Sequence, residues 1–503
     1  MKSALNGWAG KILWVDLNSG SITTEKTDQY LPQYIGGLGI GLKIMWDETS
    51  ASVAPYDPDN LLIFAIGPLT GTWAPGAGRT TVISKSPITY PVNNVTHGSF
   101  GGHFGAELKM AGYDAIVIKG QAKKPSYLSI KNDKVVIVNA GETWGKDTFL
   151  AQKLMIKQEG DLQAKCVAIG PAGERRAFFS SIISETGHAN GQCGFGGVMG
   201  SKNIKGIVVR GTGAVRIAES FSQIREQFQN EWKPLLAFEG YIMPGKSGKG
   251  WPAGSTGFGW GKGGGRVNIG RVEPEDMNRI GLRCHSSFKL PTKEYHKKND
   301  GCFGCVFNCY SYVCMDNLPG DIPSGGQIKC QQFGSYFPSN TWDFKKIKPS
   351  PSSVFLGKQL ADMYAINSIE LKNIRSLLVY LKNGHGNLTD RNRIELESLP
   401  WENEQKNGMG FIRTLVTNLS SADYREEGLW DILSRGVVRA ADRFGVYADI
   451  DAGVDRKYKL EFINNGIDRH FDPRNSIIYG IPWKRLMPGH KWMQKCRQNL
   501  RVA

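Results

Sequence analysis

The 503-residue sequence has no apolar run long enough to cross a membrane. A membrane-spanning helix needs about 20 apolar residues, whereas the longest candidate runs, such as 61–69, suit a buried strand. The first residues, MKSALNGWAGK, lack the apolar core of a secretory signal peptide. We therefore expect no membrane span and a cytoplasmic location.

The sequence also lacks any long block of basic residues. Lysine and arginine outnumber aspartate and glutamate by 62 to 46, which gives a net charge of +16, but the basic residues are scattered. A nucleic-acid-binding surface concentrates them on one face. Because charge is the only feature in favour of such a partner, we expect no nucleic acid. The hydrophobic fraction of 40% excludes a disordered chain.

Glycine is abundant, at 62 residues, but follows no collagen period, and the glycines of 36–41 are not spaced as in the GxGxxG fingerprint. Two glycine-rich stretches, 98–105 and 187–200, are the informative ones. Such loops expose backbone N–H groups and let a bulky anion approach closely. Arg79 could neutralise a phosphate there. The alternative is that each stretch forms only a tight turn.

Short strand patterns fill residues 1–210, broken by glycine, proline and Asn-Asp pairs, and an Asn-Ser-Gly turn at 18–20 is predicted to separate the first two strands. Beyond residue 211 the strand-like pattern ends, and residues 353–384 and 408–444 carry apolar residues at helical spacing. We predict an α+β protein with three domains. A β-rich cofactor-binding domain spans 1–210, a mainly helical domain with the cysteine motif spans 211–395, and an apparently incomplete helical domain spans 396–503.

Three cysteines form a CxxCxxxC motif at Cys302, Cys305 and Cys309. Thiolates so close together can converge on a [4Fe–4S] cluster, which needs four ligands. A structural zinc site usually shows two paired motifs, and no second CxxC occurs. Iron–sulfur ligation is favoured over zinc or unliganded cysteines. The fourth ligand stays open among Cys284, Cys314, Cys330 and Cys496.

Several segments together resemble the aldehyde ferredoxin oxidoreductase family. They follow in the family's order and spacing over 7–210, and the CxxCxxxC motif and the later helices continue the match more loosely. The segments are GWAGKILWVDL (7–17), YIGGLGIGLK (34–43), IGPLTGT (66–72), GHFGAELK (102–109), AGYD (111–114), AIGPAGE (168–174) and GGVMGSK (196–202).

The resemblance implies an oxidoreductase with tungsten, or molybdenum, held by two pterins. It also implies a nearby [4Fe–4S] cluster that exchanges electrons with ferredoxin or an iron–sulfur subunit, and a homo- or hetero-oligomer from an anaerobic host. A Mg²⁺ ion bridging the pterin phosphates belongs to the same expectation. The first domain would form the base under the pterins, and the helical domains would enclose the metal.

The family's pterin motifs carry over residue by residue, with departures. Arg79 would meet the pterin phosphates, and Ser99 and Gly101 stand where the family has Asn-x-Gly. The family's Arg-Ala-x-Gly-Arg loop corresponds to His188, Ala189, Gly191 and Gln192, so that two arginines are replaced. The second pterin motif, DxxGLD, corresponds to Asp362, Ile366 and Asn367, with Ala365 in place of glycine.

Three further residues bear on the reaction. His490, preceded by Arg485, falls where the family has an active-site histidine, and such a side chain could move a proton at neutral pH. No glutamate follows the cysteine motif where aldehyde oxidisers carry one, and Cys330 stands there instead. It resembles the tungsten-ligating cysteine of ATP-independent benzoyl-CoA reductases, a soft ligand suited to the metal. A buried structural cysteine is the alternative.

The chain stops at Ala503, before the C-terminal motif that carries the fourth cluster cysteine in the family. We therefore expect an incomplete third domain, a remainder on another chain, or a fragment. The predicted function is tungsten-dependent oxidation or reduction of a small molecule, either an aldehyde or an aromatic acyl-CoA. The alternative is a non-catalytic remnant or assembly subunit of such an enzyme.

Overall fold

The computed structural model describes residues 6–227 apart from 32, 73, 75 and 219, and also 230, 295–305, 310–328, 351–402 and 409–446. Strands dominate residues 6–227, called the first part below, and helices dominate residues 351–446, called the last part. This arrangement confirms the predicted α+β class. The strands of the first part are β1 (Lys11–Asp16), β2 (Ser21–Lys26), β3 (Leu62–Ile66), β4 (Thr80–Lys85), β5 (Val95–Phe100), β6 (Ala115–Lys119), β7 (Ser126–Lys131), β8 (Lys134–Asn139), β9 (Lys165–Ala168), β10 (Ile182–Ser184), β11 (His188–Asn190) and β12 (Ile204–Arg210).

These strands form two six-stranded sheets, in the orders β2-β1-β6-β3-β4-β5 and β11-β10-β9-β12-β7-β8. Strand β1 is parallel to β6, and β12 is parallel to β7, whereas the other pairings are antiparallel. The predicted Asn-Ser-Gly turn joins β1 to β2, and Gly20 takes the left-handed backbone conformation that this turn requires (φ +75°).

Helices cover both sheets. The helices of the first part are α1 (Leu38–Glu48), α2 (Phe104–Met110), α3 (Thr148–Glu159), α4 (Pro171–Glu174), α5 (Phe195–Ser201) and α6 (Phe221–Gln227). Phe64 of β3 faces a core shared by both sheets with α2 and α5, while its neighbour Ile63 faces a second core beneath α1. Strand β3 is therefore apolar throughout because both of its faces are buried. Helix α3 covers the far side of the second sheet.

A three-stranded antiparallel sheet follows the first part. It consists of β13 (His296–Asp300), β14 (Tyr310–Cys314) and β15 (Gly325–Ile328). This region falls within the domain that was predicted to be mainly helical, so these strands were not expected. The segment that connects β13 to β14 contains the first two cysteines of the CxxCxxxC motif.

The last part is helical, as predicted, with a break at 365–367. Its helices are α7 (Pro351–Tyr364), α8 (Ser368–Lys382), α9 (Asp390–Glu397), α10 (Met409–Ser421), α11 (Leu429–Ser434) and α12 (Val437–Arg443). Their apolar faces share one core, to which Phe179 of the first part also belongs. None of the helices in the described residues is both long and apolar enough to span a membrane.

Backbone hydrogen bonds connect the helical part to the first part. The Ser181 N–H donates to the carbonyl of Ala365 (2.7 Å), and the Phe178 N–H donates to the carbonyl of Ser434 (2.8 Å). The Arg439 guanidinium donates to the carbonyls of Ile88 (3.0 Å) and Thr89 (2.7 Å). These contacts hold the helices against the segment before β10 and against the β4–β5 connection, and the domain limits at 210 and 395 stay a prediction.

Candidate functional site

The two glycine-rich stretches meet where an edge strand of one sheet adjoins an edge strand of the other. Gly98 of β5 lies so close to Asn190 of β11 that a Cβ added at Gly98 would be 2.5 Å from Asn190 Nδ2. The Asn190 amide, oriented to satisfy both of its polar atoms, accepts from the Ser99 N–H (3.0 Å) and donates to the Gln192 carbonyl (3.2 Å). Sequence reasoning missed Asn190, although it is the variable position of the family's Arg-Ala-x-Gly-Arg loop.

Arg79 and Ser99 lie together, as the pterin motifs imply. Arg79 immediately precedes β4, is exposed, and donates from Nη1 to Ser99 Oγ (3.1 Å) on the neighbouring strand β5. A guanidinium has five N–H donors in a planar fork, so one contact to Ser99 orients the group and leaves its charge at the surface. This arrangement is suited to an anionic ligand.

Cys302 packs into a cradle of glycines. A Cβ added at Gly101 would lie 2.4 Å from Cys302 Sγ, and one added at Gly78 would lie 2.9 Å from Cys302 Cβ. The Cys305 N–H donates to the Cys302 carbonyl (3.0 Å), so the two cysteines share one tight turn. The structure thus places the first cysteine of the CxxCxxxC motif directly against predicted pterin-loop residues.

A cluster of charged and imidazole groups adjoins this cradle. His188 of β11 is fully buried (0% exposed), and its Nε2 lies 3.4 Å from Glu185 Oε2. The other carboxylate oxygen of Glu185 accepts from His103 twice, from Nδ1 (2.7 Å) and from the backbone N–H (3.2 Å). Sequence reasoning singled out neither His103 nor Glu185, because nothing local connects residues 82 positions apart.

The surroundings favour the anionic forms of both the Cys302 thiol and the Glu185 carboxyl. Burial raises the pKa of the Cys302 thiol, but a hydrogen bond from His188, the Gly102 N–H and the charge of Arg79 together bring that pKa below its ordinary value. Burial likewise raises the pKa of Glu185, and the hydrogen bonds from His103 and His188 bring it well below its ordinary value. The thiolate is the form of cysteine that ligates metals.

The second pterin motif is engaged in protein contacts. Asp362 is buried and pairs with Lys358 Nζ (3.1 Å). Ala365 adopts the left-handed backbone conformation (φ +59°) at the position where the family has glycine, which disfavours any side chain. Ile366 pairs through its backbone with Ser180. These contacts place the motif against the second sheet.

Asn367, the last residue of the motif, caps helix α8. Its side-chain oxygen accepts from the N–H groups of Ile369 (2.8 Å) and Glu370 (3.2 Å). Asparagine and aspartate are equally good at this position. The replacement of the family's aspartate by Asn367 therefore preserves the cap, and its predicted role in pterin binding stays a prediction.

We expect Asn367→Ala to lower the free energy of unfolding by about 1 kcal/mol, because two N–H groups at the start of α8 lose their acceptor. Asn367→Asp should stay within a few tenths of a kcal/mol of the wild type, since the carboxylate accepts the same hydrogen bonds. Urea unfolding followed by tryptophan fluorescence measures both. An aspartate variant as weak as the alanine variant would contradict the capping role.

Not every glycine of the second stretch leaves room for a ligand. Added Cβ atoms at Gly194 and Gly200 would collide with the carbonyl oxygens of Phe178 (1.9 Å) and Gly173 (2.0 Å). These glycines allow helix α5 to pack on the protein's own backbone. Gly191, in contrast, has no atom within 4 Å of such a position. Among the glycines of the stretch, Gly191, just after β11, is therefore the one beside which a ligand has room.

Four predicted site residues lie outside the described residues, and their roles stay predictions: Cys309, Cys330, Arg485 and His490. Within the described ranges, no three histidine, cysteine or acidic side chains form a group that could hold a metal ion. Cys302 and Cys305 are the members of the CxxCxxxC motif that the structure describes. Their thiols and the glycine cradle fit a soft, thiolate-ligated metal group.

Comparison with known proteins defines the class. The family model for the aldehyde ferredoxin oxidoreductase N-terminal domain matches residues 12–211. Over 457 residues, the chain is 32% identical to a tungsten-containing aldehyde ferredoxin oxidoreductase from Pyrococcus abyssi, covering 87% of this chain and 68% of that protein. The protein is thus an oxidoreductase by class, as predicted. It belongs to the aldehyde ferredoxin oxidoreductase family.

Two further relatives extend the comparison. The chain is 28% identical over 501 residues to the WOR-like subunit of an aliphatic sulfonate oxidoreductase from Pyrococcus furiosus, covering 94% of this chain and 73% of that protein. The fold of the present chain matches a chain of the active-site complex BamBC of benzoyl-coenzyme A reductase with 1,5-dienoyl-CoA (TM-score 0.71, 27% identity). That match covers 89% of this chain and 65% of the other.

Proposed function

We propose that this protein is a tungsten-dependent oxidoreductase with a bis-pterin cofactor and a [4Fe–4S] cluster. It exchanges electrons with ferredoxin or with an iron–sulfur subunit. The observation that carries the proposal is the position of Cys302, whose thiol lies against Gly101 and beside His188, with the Arg79–Ser99 pair close by. A cluster ligand and a phosphate-binding pair next to one another suit electron transfer between a cluster and a pterin.

Each part of the site has a task in this proposal. Cys302, Cys305 and Cys309 hold the cluster, and Cys330 is a ligand to tungsten. The tungsten–pterin group supplies two-electron chemistry when bound, and the cluster supplies one-electron steps. The first pterin, with a Mg²⁺ ion at its phosphates, would be held by Arg79, Ser99, Gly101, His188, Ala189, Gly191 and Gln192. The second pterin meets Asp362, Ile366, Asn367 and Arg485.

The chain's own residues bind the phosphates and move protons. Arg79, oriented by Ser99, neutralises phosphate charge with a planar donor set. His188 and Gln192 replace the family's two arginines, so less positive charge faces the pterin. His490 takes up or releases a proton at an imidazole nitrogen during the reaction.

The substrate is an aldehyde or an aromatic acyl-CoA. The relative from Pyrococcus abyssi is described as an aldehyde oxidoreductase, whereas the solved structure is a benzoyl-coenzyme A reductase. The absence of a glutamate after the cysteine motif and the presence of Cys330 favour the acyl-CoA.

Metal analysis of the anaerobically purified chain tests the proposal. We expect near-stoichiometric tungsten, or molybdenum, and about four iron atoms per chain, measured by mass spectrometry alongside zinc. Iron without tungsten or molybdenum, or a chain free of metal, would contradict an enzyme that works alone and would favour the non-catalytic assembly subunit. Zinc in place of iron would contradict the cluster itself.

A further inference from the structure

Glu185 occupies a backbone conformation that has to be imposed on it. Its φ of +56° lies in the left-handed region, which is unfavourable for a side chain of this size. Gln152 of α3 holds the residue at both backbone groups, because its Oε1 accepts from the Glu185 N–H (2.8 Å) and its Nε2 donates to the Glu185 carbonyl (2.9 Å). Lys358 of α7 donates to the next carbonyl, that of Thr186 (2.7 Å).

This imposed turn orients the Glu185 carboxylate between two histidines. Oε1 accepts from His103, and Oε2 faces His188 Nε2 at 3.4 Å. The opposite edge of the His188 ring faces the cysteine cradle, since Nδ1 lies 3.3 Å from the Cβ position of Gly101 and Cys302 Sγ lies 2.4 Å from that same position. The imidazole therefore stands between a carboxylate and a cysteine thiol.

We propose that Glu185 is a positioning residue that holds His188 against Cys302 and thereby raises the reduction potential of the iron–sulfur cluster. The inference rests on the proposed function, in which Cys302 is a cluster ligand. A hydrogen bond to a ligating sulfur stabilises the reduced cluster, which carries the additional electron. Glu185 acts through the histidine, because its carboxylate contacts His188 and His103.

The two ways in which Glu185 could act, by positioning His188 or by its own charge, predict opposite changes in the reduction potential when Glu185 is replaced. A negative carboxylate acting directly on the cluster would disfavour the added electron, so its removal would raise the potential. If Glu185 acts by holding His188, its removal weakens the hydrogen bond to Cys302 and lowers the potential. Glu185→Gln keeps the size of the side chain and removes its charge. Glu185→Asp keeps the charge and withdraws the carboxylate from His188.

The experiment is an EPR-monitored redox titration of the anaerobically purified full chain at one pH. We expect Glu185→Gln to lower the equilibrium constant for cluster reduction about tenfold, which is 59 mV for one electron. Glu185→Asp should shift it in the same direction. His188→Gln should lower it at least as far, and Glu185→Gln should then add nothing in the double variant.

Glu159→Gln is the matched control. Glu159 also accepts hydrogen bonds within the first part, from Tyr127 (2.7 Å) and Ser129 (2.8 Å), but belongs to a different cluster of residues. Its replacement should leave the potential unchanged. A raised potential in Glu185→Gln, an additive double variant, or an unchanged potential with the cluster present would each overturn the inference alone. A wild-type chain without a cluster signal would overturn the proposed function and the inference with it.

Discussion

Replacing Cys302 by alanine is expected to abolish the EPR signal of a reduced [4Fe–4S] cluster and to remove most of the bound iron. The motif provides three closely spaced thiolates for four ligand positions, so the loss of one leaves an open iron site. Cys302 is also the thiol whose pKa the surroundings bring below its ordinary value, despite the opposing effect of burial. Iron content and EPR of the dithionite-reduced, anaerobically purified chain measure the effect.

Cys166→Ala is the control for this experiment. Cys166 lies buried in β9, where burial raises the pKa of its thiol well above its ordinary value, so it should stay protonated and inert. Gly101→Ala is a second variant, because its added Cβ would displace Cys302 Sγ without removing it. We expect it to lose the cluster as well. An intact signal in Cys302→Ala would remove the cluster assignment.

The second large effect concerns the pH dependence of stability. Glu370, in the first turn of α8, is buried and accepts a hydrogen bond from the Val437 N–H at the start of α12. Burial raises the pKa of its carboxyl from 4.5 to about 7, against the lowering effects of the Val437 N–H and of Arg439. Between these values, the folded protein binds more protons than the unfolded chain.

Stability should therefore fall as the pH rises from 4.5 to 7, by about 3 kcal/mol from this one group. Glu370→Gln removes the titration while its amide oxygen still accepts from the Val437 N–H. We expect the variant to gain stability relative to wild type at pH 8 and to lose this advantage at pH 5. Urea unfolding at the two pH values measures the difference.

The exposed Glu397 of α9 provides the matched control, since Glu397→Gln makes the same chemical change in water. Its stability relative to wild type should be nearly independent of pH. If Glu370→Gln showed the same small difference at pH 5 and pH 8 as Glu397→Gln, the burial of Glu370 would carry no proton linkage.

Local patterns predicted much of the secondary structure. The Asn-Ser-Gly turn identified the β1–β2 hairpin, and the apolar run around Ile63 identified a strand buried on both faces. The helical spacing of 353–384 identified α7 and α8 but not the break between them, because the left-handed Ala365 has no local signal. The small sheet around Cys314 was missed, since β13, with the sequence HKKND, has no apolar alternation.

The motifs of the candidate site could be predicted from the sequence, but the contacts between its residues could not. The motifs brought Arg79, Ser99 and Cys302 to attention separately, and the fold places them side by side. His103 and Glu185 were missed, because a histidine and a glutamate that are distant in sequence form a pair only through the tertiary structure. For the glycines of the second stretch, sequence could not distinguish ligand approach from backbone packing.

By itself, the sequence determined the α+β class, the family and the identity of the chemical groups. These depend on local periodicity and on motif spacing, both of which can be recognised in the linear sequence. Only the tertiary structure decided which groups meet. Edge strands β5 and β11 lie side by side, and glycines surround Cys302. Glu185 adopts a left-handed conformation that a hydrogen bond to Gln152 stabilises. Such contacts depend on how the two sheets pack, which is a property of many distant residues at once.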